Sequence, residues 1–414
     1  MPRLLILTPY FPPEMGAPQA RLSELGERLL DLGWQVEVLT ALPNYPTGRI
    51  FAGYPRWRPV VEAAGRLRAV RVPLYPANRG FLRRLASYLS FVAAACLWGP
   101  RRCRRPDLLL VESPPLFTAF AAFYLSRCWR RPYVANVSDL WPESAVRMGL
   151  LRRRALATRL AQRLERRFYR RAAAVTGQSR EIVAAVEAAA PGVASAVITN
   201  GVEPERFGPD RADDEARRLL GDEPGPIVLY AGLLGLAQGL EAVLDALDGL
   251  PDDVPGRLVL VGDGPLRETL ERRLGRRGGR ARLLPAQPRQ RIPALLAAAD
   301  VALIPLGGRL PGAVPSKIYE AMAAARPILL VAGGEAAARV EEAGCGLIVP
   351  PGDPPALRRA WQRLAADPEL RARLGRAGRR RAETVYSRRA IARRLDRVLR
   401  RALGGSGRAE TEAR

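Results

Sequence analysis

A short apolar run, a loop with proline and glycine, a helix-periodic stretch and a second apolar run open this chain, and the same order restarts near residue 226. Residues 3–8 (RLLILT) have the length and composition of a buried strand, and PYFPPEMGAP follows as a loop. QARLSELGERLLDLG then sets its apolar residues at helical spacing, and WQVEVLTA reads as the next strand. In the second half PIVLYAG is a strand, LLGLAQ a loop and GLEAVLDALDGL a helix; RLVLVG with DGPLRETLERRL repeats the unit, and ADVALIPL, RPILLV and CGLIVP add strands. Parallel strands need a crossover, which a helix supplies, so this grammar predicts doubly wound parallel sheets. A chain of 414 residues exceeds one ordinary core, and the restart predicts an α/β protein of two Rossmann-like domains, 1–207 and 208–385, with a linker around Phe207–Pro226. Ligands of such folds sit beyond the carboxyl ends of the strands, here in the cleft expected between two sheets.

Histidine is absent, which excludes Ser-His-Asp and Cys-His catalysis and removes the commonest metal ligand. Cys96, Cys103, Cys128 and Cys345 show no CxxC pairing and no zinc spacing, so buried reduced thiols are expected and no metal or cofactor is. General-base chemistry would fall to a carboxylate.

The formal net charge of +25 implies an anionic partner. Residues 1–207 hold 31 arginines against 15 acidic residues, so the first half is the more basic. Basic clusters without interleaved aromatics and without a zinc-finger or RNP-like motif argue against nucleic acid. Residues 79–105 instead place an apolar segment, Ala86–Trp98, between Arg83, Arg84, Arg101, Arg102, Arg104 and Arg105. That segment is too short to span a bilayer and suits either a helix lying among lipid headgroups or a buried domain helix. Basic runs at Arg152–Arg154 and Arg163–Arg171 add attraction to anionic lipid or form a solvated face. With no apolar tract long enough for a span and too short a leading run for a signal peptide, the expected location is the cytoplasm, peripheral on the inner face of the cell membrane.

Lys317 is the single lysine among 66 basic residues, and it lies in AVPSKIYEAMAAARPIL. An ammonium is a compact point charge where arginine is a broad fork, so a site beside one phosphate oxygen is a reason to keep it; chance survival is the alternative. Pro315 and Ser316 can open a helix, with Ser316 as its cap and free N–H groups aimed at an anion. Lys317 and Glu320 then share a face, a cation for phosphate and a carboxylate for two ribose hydroxyls, or else form only a first-turn ion pair. Gly232, Gly235 and Gly239 follow a strand and would let backbone amides approach a diphosphate. Gly262, Asp263, Gly264 and Arg267 form a second such turn, which either lines the ligand or is simply a sharp turn. In the first half Glu14, Gly16 and Ala17 occupy the loop after the first strand, where an acceptor or the diphosphate could approach. Asp139 and Glu143 follow a strand-like stretch and either face the cleft or cap the next helix.

In this order and spacing, YAGLLGLAQGL, VGDGPLRETL, AAADVALIPL, VPSKIYEAMAAARPIL and GCGLIVPPGDPPAL resemble the second domain of the family 4 retaining glycosyltransferases. TPYFPPEMGAPQARLSELGERLLDLGWQVEVLT, ALPNYPTG and SDLWPESAVRMG resemble the branch with fucosamine-transferase-like enzymes of polysaccharide assembly. The resemblance implies a GT-B fold, a nucleotide-sugar donor, expected to carry UDP, on the second domain, and a lipid-linked or glycan acceptor on the first. It further implies retention at the anomeric carbon, independence from metal, and a terminal helix, 386–402, crossing back onto the first domain ahead of a disordered tail, 403–414. Carried over by position, Glu320 binds the donor ribose, Lys317 the diphosphate, the Gly16 loop the diphosphate or sugar, and Arg267 the nucleotide side. Asn44 and Tyr45 in ALPNYPTG, with Glu14 and Glu143, fall on the acceptor side. The family's second glutamate is Gly312 here, and the usual Arg and Lys of the glycine-rich turn are Leu233 and Gln238. Lys317 is therefore the expected principal cation, with Arg309 as its helper. The histidine many members carry is replaced around Ser138 and Asp139, which makes Asp139 the candidate for a polar catalytic role. Two rival expectations are a degenerate transferase serving as a membrane or partner-binding subunit, suggested by Gly312, Leu233 and Gln238, and a nucleotide-sugar epimerase, disfavoured by the absent histidine.

Overall fold

The computed structural model describes residues 1–404 apart from 148, 150, 153, 222–223, 276–279 and 309–311. Arg153, Arg309 and most of the expected tail thus lie outside the described residues. The chain divides into two units, Met1–Thr199 with Arg388–Arg414, and Asn200–Ser387.

The first unit contains β1 (Arg3–Leu7), α1 (Ala17–Asp31), β2 (Gln35–Ala41), β3 (Val60–Ala64), β4 (Leu67–Val72), α2 (Phe81–Arg102) and β5 (Leu108–Ser113). It continues with α3 (Thr118–Trp129), β6 (Tyr133–Val137), α4 (Glu143–Arg147), α5 (Leu156–Arg171), β7 (Ala174–Gly177), α6 (Arg180–Ala189) and β8 (Ser195–Val197). Its sheet has the order β3-β4-β2-β1-β5-β6-β7-β8, parallel except for the edge strand β3. Strands such as β1 and β5 are apolar on both faces because helices cover both, and they pair Leu4 with Leu108 and Leu7 with Val111.

The second unit contains α7 (Asp214–Leu220), β9 (Ile227–Ala231), α8 (Leu240–Asp248), β10 (Arg257–Val261), α9 (Arg267–Gly275), β11 (Ala281–Leu284) and α10 (Ile292–Ala298). Then come β12 (Val301–Pro305), α11 (Ser316–Ala323), β13 (Ile328–Val331), α12 (Gly334–Ala343), β14 (Gly346–Val349), α13 (Pro354–Ala366) and α14 (Pro368–Thr384). Its sheet is wholly parallel, β11-β10-β9-β12-β13-β14. In both sheets the order reverses beside the first strand of the unit, between β1 and β5 and between β9 and β12. At such a reversal the loops part to opposite faces and leave a crevice at the strand ends.

The last helix, α15 (Arg388–Gly404), belongs to the first unit and packs its Ile391, Leu395 and Leu399 into the core that α1 supplies with Leu22, Leu25 and Leu29. Polar contacts fix it there: the Trp34 indole donates to Asp396 at 2.6 Å, and Arg388 pairs with Glu24 at 2.7 Å. It starts and ends two residues later than the expected 386–402.

Four expectations change. The stretch read as a linker, Phe207–Pro226, carries α7, because Asp213 caps that helix by accepting from Ala216 N–H at 2.7 Å and its Ala216 and Leu220 are buried. The division between units falls at Thr199, ahead of that helix. The apolar segment at Ala86–Trp98 continues through its flanking arginines into a 22-residue helix, long and apolar enough by length and composition to cross a membrane, although Phe91, Ala95 and Gly99 are buried in the first unit. Of the four thiols, all free, only Cys345 is buried; Cys96 and Cys103 are half-buried and Cys128 is exposed on α3.

Candidate functional site

In the second unit the β9 turn and α11 meet at the point where the strand order reverses. Gly232 has φ 151°, a region that side chains avoid, and a Cβ there would land on the Lys317 ammonium. The missing side chain leaves room for the lysine, whose Nζ sits 4.2 Å from the centroid of the Tyr230 ring. Burial pushes the Lys317 amine down to about 8, against Glu320, which pulls it back up. Among the described residues the ammonium has no hydrogen-bond or ion-pair partner. Glu320, one turn on, is pushed up by burial, while Arg289, Lys317, a hydrogen bond from Ser316 and Arg206 pull it down. Lys317 and Glu320 therefore do share one helix face, without a close ion pair.

Other expected donor residues have local work. Pro315 stands at the N-cap of α11 and Ser316 is its first helical residue, with its hydroxyl on Glu320 rather than on the helix end. A Cβ at Gly262 would strike the Gly232 carbonyl, and one at Gly264 the backbone of Leu234, so these glycines let two turns abut. Gly235 faces the Gln238 amide oxygen, which is buried without a partner among the described residues. Arg267 donates to Gly262 O at 2.8 Å and pairs with Glu271 at 2.8 Å, which ties its guanidinium to its own turn and helix.

In the first unit, Glu14 is buried, and its carboxylate accepts from the backbone of Asn44 at 2.7 Å, Tyr45 at 2.8 Å and Phe11 at 3.3 Å. Burial raises its pKa, and those N–H groups and Arg71 oppose the rise. Glu14 is thus a brace between the β1 and β2 loops, and it presents Asn44 and Tyr45 instead of meeting an acceptor itself. Gly16 is the N-cap of α1, packed on the Gln19 side chain. Asn44 and Tyr45 line a cavity with Pro9, Tyr10, Asn78 and Tyr88. Tyr45 meets Tyr10 edge to face at 5.7 Å; Tyr10 and Tyr88 bring their hydroxyls to 3.5 Å, and Tyr88 stacks on Phe117, which meets Trp141. This aromatic row, apart from Tyr45, was invisible in the sequence, because its members follow different strands.

Asp139 is exposed just beyond β6, and Glu143 opens α4 paired with Arg147 at 3.1 Å. The polar group beside Asp139 is larger than expected. Arg21 and Glu112, both buried, pair at 2.5 Å, and Arg21 also donates to Ser138 at 2.7 Å. Ser138 and Asn136 donate to the two Glu112 oxygens, and Thr176 donates to Asn136 at 2.7 Å. The signal for Glu112 was a charged residue closing the apolar strand LLLVES.

Comparison with known proteins accounts for both units. Residues 16–207 match the model of the glycosyl transferase 4-like domain, and 212–381 that of the glycosyl transferases group 1. The putative colanic acid biosynthesis glycosyl transferase WcaI of Escherichia coli (strain K12) is 30% identical over 78% of this chain and 81% of its own length. The probable glycosyltransferase WbjE of Pseudomonas aeruginosa is 30% identical over 73% of this chain and 76% of its own. Among solved structures, sucrose-phosphate synthase from Thermosynechococcus elongatus superposes with a TM-score of 0.77 at 22% identity, covering 98% of this chain and 100% of that one. Anabaena Alr3699/HepE, solved with UDP-glucose, gives 0.67 at 20%, covering 97% and 100%. These structures share the fold, two Rossmann-like α/β domains of the GT-B kind.

Proposed function

The chain belongs to the family 4 glycosyltransferases of polysaccharide and glycoconjugate biosynthesis, and on that footing we propose that it moves a sugar from a UDP-sugar to a lipid-linked or polysaccharide-precursor acceptor, with retention at the anomeric carbon and without a metal ion. The observation that carries the donor side is the half-buried Lys317 ammonium, held over Tyr230 with no carboxylate in contact, at the topological switch of the second sheet. A partly desolvated cation without a close counter-ion is costly, and an anionic ligand relieves that cost. The UDP-glucose held by the Anabaena neighbour supports uridine as the nucleotide.

In the proposed reaction the bond from the anomeric carbon to the β-phosphate oxygen breaks while the acceptor oxygen bonds to the same face of that carbon. The acceptor's proton passes to the departing phosphate oxygen, so the chain needs no histidine base. Lys317 stabilises the charge that gathers on the diphosphate, and the Glu320 carboxylate accepts the ribose hydroxyls. Asn44, Tyr45 and the aromatic row hold the acceptor, and Asp139 is the polar group offered beside it.

Thermal unfolding with a panel of nucleotide sugars tests the donor. A ligand at a hundred times its Kd stabilises the folded state by about 2.7 kcal/mol, so UDP-sugars are expected to raise the midpoint and GDP-, ADP- and CMP-sugars are not. A rise with GDP-sugars alone would overturn the assignment of uridine. The anomeric configuration of the product, read by NMR, tests retention.

A further inference from the structure

The first unit carries an apolar and basic face made by three neighbouring helices. On α2, Leu82, Leu89 and Leu97 are exposed along one side, seven, then eight residues apart, and Ala86 and Ala93 fill the stripe between them. The opposite side of the same helix puts Phe91, Ala95 and Gly99 into the core. On α3, packed beside it, Phe120 and Tyr124 are exposed one turn apart. On α5, Leu156 and Leu160 repeat the pattern, 69% and 52% exposed. Helices α5 and α3 are stitched by arginines whose guanidinium groups lie over an aromatic ring, Arg167 and Arg171 over Phe123 of α3, and within α2 Arg102 lies over Trp98.

Charge on this face has one sign. Neither α2 nor α3 contains an aspartate or glutamate, while α2 begins with Arg83 and Arg84 and ends with Arg101 and Arg102. The α5 helix exposes Arg159, Arg163, Arg166, Arg167 and Arg170 and has a single acid, Glu165. That acid turns inward to accept from the Tyr169 hydroxyl at 3.0 Å, and burial lifts its carboxyl to about 7, so near neutral pH it carries only part of one negative charge against the five arginines. A stable water-facing surface does not gather seven large apolar side chains among arginines of one sign, and a protein partner would call for acidic counter-groups arranged one by one.

We infer that the α2–α3–α5 face is a docking surface for an anionic lipid bilayer, with the leucines and aromatics entering the headgroup boundary and the arginines meeting lipid phosphates. The mode is in-plane. Although α2 has the length to span, its buried side is part of the core, and Gly99 approaches Leu39 and Leu125 so closely that even a Cβ would stand 3.1 Å from each. Spanning would strip that packing, whereas lying flat leaves it intact and buries only the exposed stripe. This inference rests on surface residues alone and does not depend on the transfer reaction proposed above.

Sedimentation of the full chain with vesicles tests it, using phosphatidylcholine alone and phosphatidylcholine mixed with phosphatidylglycerol. The protein is expected to pellet with the mixed vesicles and to stay in solution with the neutral ones. The double variant R163Q/R170Q is expected to weaken binding at least about tenfold, since each arginine near an anionic surface contributes about a fivefold factor. L82S/L97S is expected to weaken it comparably, whereas R218Q in the second unit is expected to have no effect. Each variant's near-ultraviolet circular dichroism checks that the fold is kept, and UDP binding by the same preparations is read separately, so lost docking and lost donor binding are distinguishable. Equal pelleting with neutral vesicles, or binding indifferent to both double variants, would overturn the inference. So would a dimer in solution that L82S/L97S dissociates, since a second copy would then be what covers the face.

Discussion

Lys317 meets the face of Tyr230 instead of a carboxylate, and that neighbour sets its chemistry. The ring's electron-rich face tolerates a cation without neutralising it, so the charge remains available to a ligand. On the proposed reading, Lys317→Met is expected to lower kcat about a hundredfold, the usual cost of removing one preorganised donor at a developing anion, as measured in single-turnover assays. Lys317→Arg keeps the charge but needs the space above Gly232, and wild-type turnover in that variant would remove the special role from the lysine. Gly232→Ala is expected to displace the ammonium and to cost about 1–3 kcal/mol of stability through its strained φ, read by denaturant unfolding. The depressed pKa also gives a pH dependence. Below about 8 the amine is charged in the folded protein, so UDP affinity measured by calorimetry is expected to fall as pH rises through that value and to be flatter in Lys317→Met. The unliganded protein behaves oppositely: between about 8 and the ordinary 10.5 the unfolded lysine binds more protons than the folded one, so this group's contribution to stability rises with pH there.

Helices α1 and α15 show how an element's neighbours outweigh its place in the chain. The terminal helix has an arginine-rich outer side and buries Ile391, Leu395 and Leu399 beside α1, more than 350 residues away in sequence. Leu395→Ala is expected to destabilise the first unit by about 2–5 kcal/mol, the range for a buried leucine, and to leave UDP affinity unchanged. The loops after β1 and β2 offer a complementary test. Glu14 ties them together and exposes Tyr45 at the rim of the aromatic cavity. Tyr45→Ala is expected to raise the KM for acceptor about tenfold, in keeping with an aromatic contact of about 1.5 kcal/mol, without altering donor KM. A change in donor KM alone would detach the aromatic row from the acceptor.

The chain begins and ends in one unit and inserts the other between, and each sheet has apolar cores on both of its faces. Scanning calorimetry is therefore expected to resolve two transitions, of which UDP raises one. Much of this was legible locally. Apolar runs, helical spacing and glycine-bearing turns predict doubly wound sheets because backbone period and crossover geometry act over a few residues, and Lys317 and Glu320 share a face because a helix turns in 3.6 residues. The same local signals left the occupations of side chains open. That Glu14 is consumed by backbone N–H groups, that Arg267 serves its own turn, and that Arg21 and Glu112 meet beneath Ser138 depends on strand order and register, which bring β1 beside β5 across a hundred residues. Periodicity states which side of an element is apolar but not which element covers it. The same gap hid the row that joins Tyr45 to Trp141 and left open which side of α2 is core and which is bare. Local patterning thus determined the kind of fold and the shared helix face of Lys317 and Glu320, and packing between distant segments decided which side chains remain free to bind.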